Sequence, residues 1–116
     1  MDYITAMQAK RDEIAKAAIR QQEREIITNY TAAGQITPQG MNSAITTLQA
    51  AAALQMQPRQ ALVIANAATA ATIRKHFSRE EVEIIITPAV ETLTAYVVTD
   101  EELKKQLLAG IEHRGY

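Results

Sequence analysis

The sequence predicts an all-α domain, a helical bundle of about five helices, four to six, with a long N-terminal helix. Three observations support this class. Alanine is abundant, aromatic side chains are scarce, with one Phe and no Trp, and apolar residues recur at spacings of three, four and seven. An aliphatic and alanine core suits closely packed helices better than a sheet. With the size of one domain, residues 1–116 are predicted to form a single helical domain.

The first predicted helix extends from about Ile4 to Ala32 and is amphipathic. Charged residues between Lys10 and Arg24 occupy the faces that the apolar residues leave free. At 1.5 Å per residue such a helix would reach about 40 Å, more than the diameter of a domain of this size. Residues 1–33 are therefore expected to project in part from a bundle formed by residues 37–116. The apolar stripe consists of Ile4, Met7, Ile14, Ala15, Ala18, Ile19, Ile26 and Tyr30.

A helix-turn-helix junction is predicted at residues 34–38. Gly34 is placed to end the first helix in the left-handed conformation, with Ile36 anchoring the turn. Thr37 is a residue type that caps helices, so a second helix would follow it. Pro38 would lie in the first turn of that helix, where its missing N–H costs no hydrogen bond. This second helix is predicted to run from about Pro38 to Gln55.

The third predicted helix runs from about Arg59 to Phe77, with Leu62 and Ile73 among its residues at helical spacing. Ser78 and Glu81 then form a capping-box pattern, which predicts a fourth helix starting at Arg79.

Pro88 leaves two alternatives for the fourth helix, whose apolar face continues from Val82 to Val97. Either the helix kinks at Pro88, or it ends there and Thr87 caps a new helix. A short strand at Val82–Ile86 is a further alternative, because short apolar runs do not distinguish helix from strand. The apolar face preserved across Pro88 favours a kinked or broken helix.

A last helix is predicted to begin at the second capping pattern, residues 99–102, which read Thr-Asp-Glu-Glu. Its inward residues would be Leu103, Leu107, Leu108 and Ile111.

The middle of the chain is nearly free of charge, since Arg59 is the only charged residue between Ile27 and Ile73. A surface helix ordinarily carries Lys, Glu or Arg on its outer face. One explanation is that these are central helices, covered by the charged first, fourth and fifth helices. The other is that a second chain covers part of them, because interface cores are depleted in charge and small residues allow close helix approach. The two explanations are compatible.

The function predicted from this segment is that of a non-catalytic interaction protein: a self-associating subunit, an adaptor or an assembly factor of a larger complex. The expected partner is protein, either further copies of the chain or a larger complex. The residues predicted to form the interface are Met7, Ile14, Ile19, Ile45, Leu48, Leu62, Ile64 and Ala68.

A small nucleic-acid-binding or regulatory subunit is the alternative, through the basic residues Arg59, Arg74, Lys75 and Arg79. The acidic residues that follow at once, Glu80, Glu81 and Glu83, oppose this function, and aromatic side chains for base stacking are scarce.

No catalytic residue, metal ligand, cofactor or small-molecule substrate is predicted. The sequence has no Cys, no glycine-rich phosphate-binding pattern and no paired Glu-x-x-His motif. His76 lies near Glu80 and Glu83, but the Ser78 cap would separate them, so solvated charges are the better explanation.

A cytoplasmic protein without a membrane span is expected. The chain lacks a signal-peptide pattern at its start, its apolar runs are shorter than a spanning helix, and its net charge is −1.

Overall fold

The computed structural model describes residues 21–54 and 60–111, and in these ranges helices cover both faces of a four-stranded sheet. The fold is α/β, so the prediction of an all-α domain, with a helical bundle at residues 37–116, is wrong. The elements in chain order are α1 (residues 21–32), β1 (Pro38–Gly40), α2 (Met41–Ala53), β2 (Ala61–Ala65), α3 (Ala67–His76), β3 (Val82–Ile86), β4 (Thr94–Val98) and α4 (Glu101–Gly110).

The strands lie in the order β1-β4-β2-β3. Strands β2 and β3 are parallel and in register from Ala61 opposite Val82 to Ala65 opposite Ile86, and α3 makes the crossover between them. Strand β4 is antiparallel to both of its neighbours. The short β1 therefore forms one edge of the sheet and β3 forms the other.

Two helical layers enclose the sheet. On one face α2 and α3 pack Leu48 and Ile73 against Val63 of β2. On the opposite face α1 and α4 pack Ile27 and Leu107 against a second cluster of strand residues, Leu62, Ile64, Ile85 and Val98. Alternate residues of β2 thus belong to different cores, and all five of its residues are buried.

The burial of β2 on both faces explains why the third-helix prediction is wrong for Ala61–Ala65. A strand covered by helices on both sides is apolar throughout and lacks the alternation that identifies a half-exposed strand. The helix begins at Ala67, because the Asn66 side chain accepts a hydrogen bond from the Thr69 N–H at 2.9 Å and caps it.

The predicted fourth helix does not form, although its capping box does. The Glu81 carboxylate accepts from the Ser78 N–H at 3.0 Å, and the Ser78 hydroxyl accepts from the Glu81 N–H at 3.3 Å. This turn leads into β3 instead of a helix, since β-branched residues favour extended backbone. The short strand at Val82–Ile86 is thus the correct alternative. Pro88 neither kinks nor begins a helix, because it lies in the loop of residues 87–93 between β3 and β4.

Predictions at three helix ends have different outcomes. Gly34 closes α1 with a φ of 73°, as expected, and Ile36 behind it is buried. The last helix also exists, although its cap is Asp100, whose carboxylate accepts from the Leu103 N–H at 2.8 Å. The second helix does not start at Pro38, which belongs to the edge strand β1, where a residue without an N–H is tolerated.

Candidate interaction surface

Helix α2 lies on the surface of the molecule. Ala44 and Leu48 are buried against the sheet, whereas its opposite side is exposed. The charged helices α1 and α4 lie across the sheet from it, so among the described residues they do not cover it. Within the part of the chain that the structure describes, cover by charged helices is therefore not the explanation for the missing charge of α2. Its exposed residues are Asn42, Ser43, Thr46, Gln49, Ala50, Ala52 and Ala53.

The hydroxyl groups of α2 are bonded within the chain. Thr46 donates to the Asn42 carbonyl at 2.9 Å, and Thr47 lies 2.9 Å from the Ser43 carbonyl and 3.0 Å from Gln39 Oε1. A polar group that keeps its hydrogen bond loses little when water is removed from it. The surface of α2 is therefore uncharged, and its threonine hydroxyl groups are inexpensive to desolvate.

The uncharged surface continues onto the first half of α3, which packs on the same face of the sheet. Ala67, Ala68 and Ala71 are exposed there, and charge returns with Lys75 at the end of the helix. We call the exposed side chains of Asn42–Ala53 and Ala67–Ala71 together the neutral surface.

Two exposed leucines lie near the ends of α2. Leu54 ends the helix and is 73% exposed. Leu93 is 63% exposed and lies beside the start of the helix, because Gly40, which precedes α2, pairs with Thr94. Leu93 has a φ of 66°, a left-handed conformation that is unusual for a residue with a side chain.

Polar contacts hold the loop of residues 87–93 in place. The Thr69 hydroxyl accepts from the Leu93 N–H at 2.9 Å, and the Asn66 amide donates to the Thr92 hydroxyl at 2.8 Å. On the other side of the sheet Thr87 donates to the carboxylate of Glu23, a buried residue of α1. These groups lie at the carboxyl ends of β2 and β3, where α/β folds often bind ligands. Here their hydrogen bonds join the loop to both helical layers, which is a structural role.

The structure places the predicted interface residues in three different environments. Leu48, Leu62 and Ile64 are buried in the core, so they are not accessible to a partner. Ile45 is half-buried, and Ala68 is exposed on the neutral surface. The other predicted residues, Met7, Ile14 and Ile19, lie outside the described residues. The exposed residues Asn42, Thr46 and Gln49 were not among the predicted interface residues, although they are uncharged polar residues at helical spacing.

The predicted basic cluster is divided by the fold. Arg74 is half-buried and donates to the Val82 carbonyl at 2.9 Å. Its burial, and then the neighbouring charge of Arg79, lower the pKa of Arg74. Lys75 and Arg79 are exposed, with the exposed Glu80 alongside, and Arg59 lies outside the described residues.

The contact of Arg74 has a structural consequence for β3. As an edge strand, β3 presents backbone groups that can pair with another chain. At its first residue, Val82, the carbonyl accepts from Arg74 and the N–H donates to the Ser78 carbonyl at 3.0 Å. Arg74 therefore protects this end of the sheet edge, which disfavours a role in gripping phosphate.

Comparison with protein family models, with curated proteins and with solved structures finds no match to this chain. Within the described ranges, no group of three His, Asp or Glu side chains is arranged to hold a metal ion. No helix in those ranges is both long and apolar enough to cross a bilayer.

Proposed function

We propose that this chain is a non-catalytic interaction protein that binds another protein through the neutral surface, as a subunit, an adaptor or an assembly factor. The observation that supports this function most strongly is the exposure of α2 without a single charged side chain. Exposed helices ordinarily carry charge, whereas the centres of protein interfaces are depleted in it.

The composition of the neutral surface also supports a helical partner. Alanine, serine and threonine keep side chains short, so a second helix can approach α2 closely. The hydroxyls of Thr46 and Thr47 already have acceptors, which lowers the free energy needed to remove water from them. A cytoplasmic location belongs to the same proposal, because a chain without cysteine fits a reducing compartment.

The neutral surface is smaller than one side of a standard protein interface. Helix α2, with 13 residues, is about 20 Å long, five residues of α3 span about 8 Å, and each helix is about 10 Å wide. This gives about 280 Å² for the neutral surface, about a third of the roughly 800 Å² that each partner contributes to a standard interface. Flanking side chains are therefore expected to take part, and the exposed Leu54 and Leu93 are the nearest apolar candidates.

The test compares one substitution on the two faces of the molecule. Gln49→Glu introduces a charge into the neutral surface, and Gln106→Glu introduces it at an exposed position of α4 on the opposite layer. Both variants and the wild type are used to capture proteins from the native extract, and their complexes are sized by light scattering.

We expect the wild type and Gln106→Glu to form the same complex and Gln49→Glu to bind about tenfold more weakly or not at all. Equal binding by the two variants would contradict the assignment to the neutral surface. A wild type that stays monomeric and captures no protein would contradict the proposed function itself.

A further inference from the structure

We infer that the partner of the neutral surface is a second copy of this chain, with the two α2 helices antiparallel about a two-fold axis. This inference rests on the proposed function and specifies the partner. In the resulting dimer, Leu54 of each copy covers Leu93 of the other copy.

The positions of the two exposed leucines carry the inference. Leu54 lies at the C-terminal end of α2, and Leu93 lies beside Gly40 at its N-terminal end, about 20 Å away along the helix. Leu93 is on the α2/α3 side of the sheet, because its N–H is bound by Thr69 in the first turn of α3. When two α2 helices lie antiparallel, the C-terminal end of each meets the N-terminal end of the other. Both exposed leucines are then covered by one symmetric contact.

The charges at the ends of α2 favour the same arrangement. Helices α3 and α4 begin with a side-chain cap, at Asn66 and Asp100, and α3 ends with basic residues. Helix α2 has no side-chain cap, no acidic residue in its first turn and no basic residue in its last turn. Its partial positive and negative ends are therefore uncompensated by its own side chains. An antiparallel second copy places a negative end beside each positive end.

The neutral surface can also contact the neutral surface of a second copy without charge repulsion. A symmetric contact brings each surface patch against its own equivalent, so any charged group near the axis meets a like charge. Between Asn42 and Ala53 this surface carries no charge. The outward residue nearest the midpoint between residues 42 and 54 is Gln49, which places its two copies close to the two-fold axis.

Cysteine cross-linking tests the register directly, because the natural sequence contains no cysteine. In Gln49→Cys the two introduced thiols lie near the axis and are expected to form a disulfide-linked dimer under mild oxidation. Asn42→Cys is the control on the same helix face, since its two copies would be about 18 Å apart, beyond the reach of a disulfide. Gln106→Cys is the control on the opposite layer. Cross-linking of either control as fast as Gln49→Cys would overturn the inference.

Leu93→Gly separates binding from folding. Glycine adopts a positive φ without strain, so this variant is expected to have an unchanged or higher Tm when it is monomeric. Loss of the leucine contact is expected to raise the dimer Kd about tenfold, measured by sedimentation equilibrium. Leu54→Glu should raise the Kd at least as much. An unchanged Kd in both variants would overturn the inference.

The failures of the two proposals are distinguishable. Purified wild-type chain that remains monomeric at every concentration tested overturns the second-copy inference. If the same chain still captures a different protein in a way that Gln49→Glu abolishes, the proposed function stands. If it captures none, both proposals fail.

Discussion

Helices α2 and α3 cover one face of the sheet and α1 and α4 cover the other, and both layers bury aliphatic side chains against the same strands. Their outer sides differ. Exposed charged residues of α1 and α4 include Arg24, Glu25, Glu101 and Lys105, whereas the neutral surface has none. The two layers therefore make equivalent cores, but their exposed sides differ in charge. This difference is the basis of the proposal that the neutral surface binds another chain.

Charge also joins the layers to the sheet differently. In α4, Lys104 lies 3.5 Å from the Glu83 carboxylate of β3 and donates to the Gln60 carbonyl at 3.0 Å. In α3, Arg74 donates to the backbone of the same strand. Each layer thus fixes the edge strand β3, while α2 contacts the sheet through apolar residues and the uncharged hydrogen bond from Thr47 to Gln39 of β1.

The largest expected effect tests whether the two cores are equivalent. Ile73 of α3 and Leu107 of α4 are both fully buried, on opposite faces of the sheet. We expect Ile73→Ala and Leu107→Ala each to lower the free energy of unfolding by about 2–5 kcal/mol, measured by urea denaturation. A loss under about 1 kcal/mol for one variant alone would show that the two cores are not equivalent.

A smaller effect is expected where threonine hydroxyls join the two layers to the loop of residues 87–93. Thr87→Val removes the hydrogen bond to Glu23 of α1, and Thr69→Val removes the acceptor of the Leu93 N–H. Each variant is expected to lose about 1–3 kcal/mol of unfolding free energy, because the buried Glu23 carboxylate and the partly buried Leu93 N–H each lose a partner.

Thr87→Ser and Thr69→Ser are the matched controls, since they keep the hydroxyl group. Thermal and urea unfolding of the four variants gives the comparison. If a serine variant is as unstable as its valine counterpart, packing of the methyl group and not the hydrogen bond would be the cause.

Helix caps are expected to contribute about 1 kcal/mol each to the free energy of unfolding. In this respect α2, which has no side-chain cap, differs from α3 and α4. Asn66→Ala and Asp100→Ala remove the caps of α3 and α4 and should each lower the free energy of unfolding by about 1 kcal/mol. Gly40→Asp adds a cap to α2 at a position with open space and a permissive φ of −68°, and should stabilise the monomer by about 0.5 kcal/mol.

The stability of these three variants is measured by thermal unfolding at low protein concentration, at which the chain is monomeric. Destabilisation by Gly40→Asp would show that the start of α2 does not tolerate a side chain, and that its missing cap reflects packing in β1.

The smallest expected effect is a pH dependence at the turn before β3. Hydrogen bonds from the Ser78 N–H and then the Ser78 hydroxyl lower the pKa of Glu81 below its ordinary value of 4.5. A lowered pKa in the folded chain stabilises the protein above pH 4.5, and this contribution is lost as the pH falls through the lowered value. Because Glu81 is exposed, the effect should be small.

Glu81→Gln removes this titration. Unfolding curves between pH 2 and 7 should therefore show a slightly shallower loss of stability in acid for Glu81→Gln than for the wild type. A steeper loss in the variant would contradict the assigned sign.

Several local signals in the sequence predicted local structure, although the predicted Thr37 cap of a helix at Pro38 did not form. Gly34 closes α1, the Ser78–Glu81 capping box forms, and acidic residues at 100–102 begin α4. Each of these features depends on hydrogen bonds between residues a few positions apart. The lack of charge between Asn42 and Ala53 was likewise visible in the sequence, which left open whether other helices of the chain cover these residues.

Only the tertiary structure decided that Ala61–Ala65 and Val82–Ile86 are strands. Both segments are apolar runs of five residues, and each is extended because the other lies beside it in parallel register. That pairing joins residues about 20 positions apart, which no local pattern encodes. The sequence by itself determined the turn at Gly34, the Ser78–Glu81 hydrogen bonds, the start of α4 and which helix lacks charge. The tertiary structure placed that helix, α2, at the surface. The reason is that α1 and α4 pack on the opposite face of a sheet that the sequence did not predict.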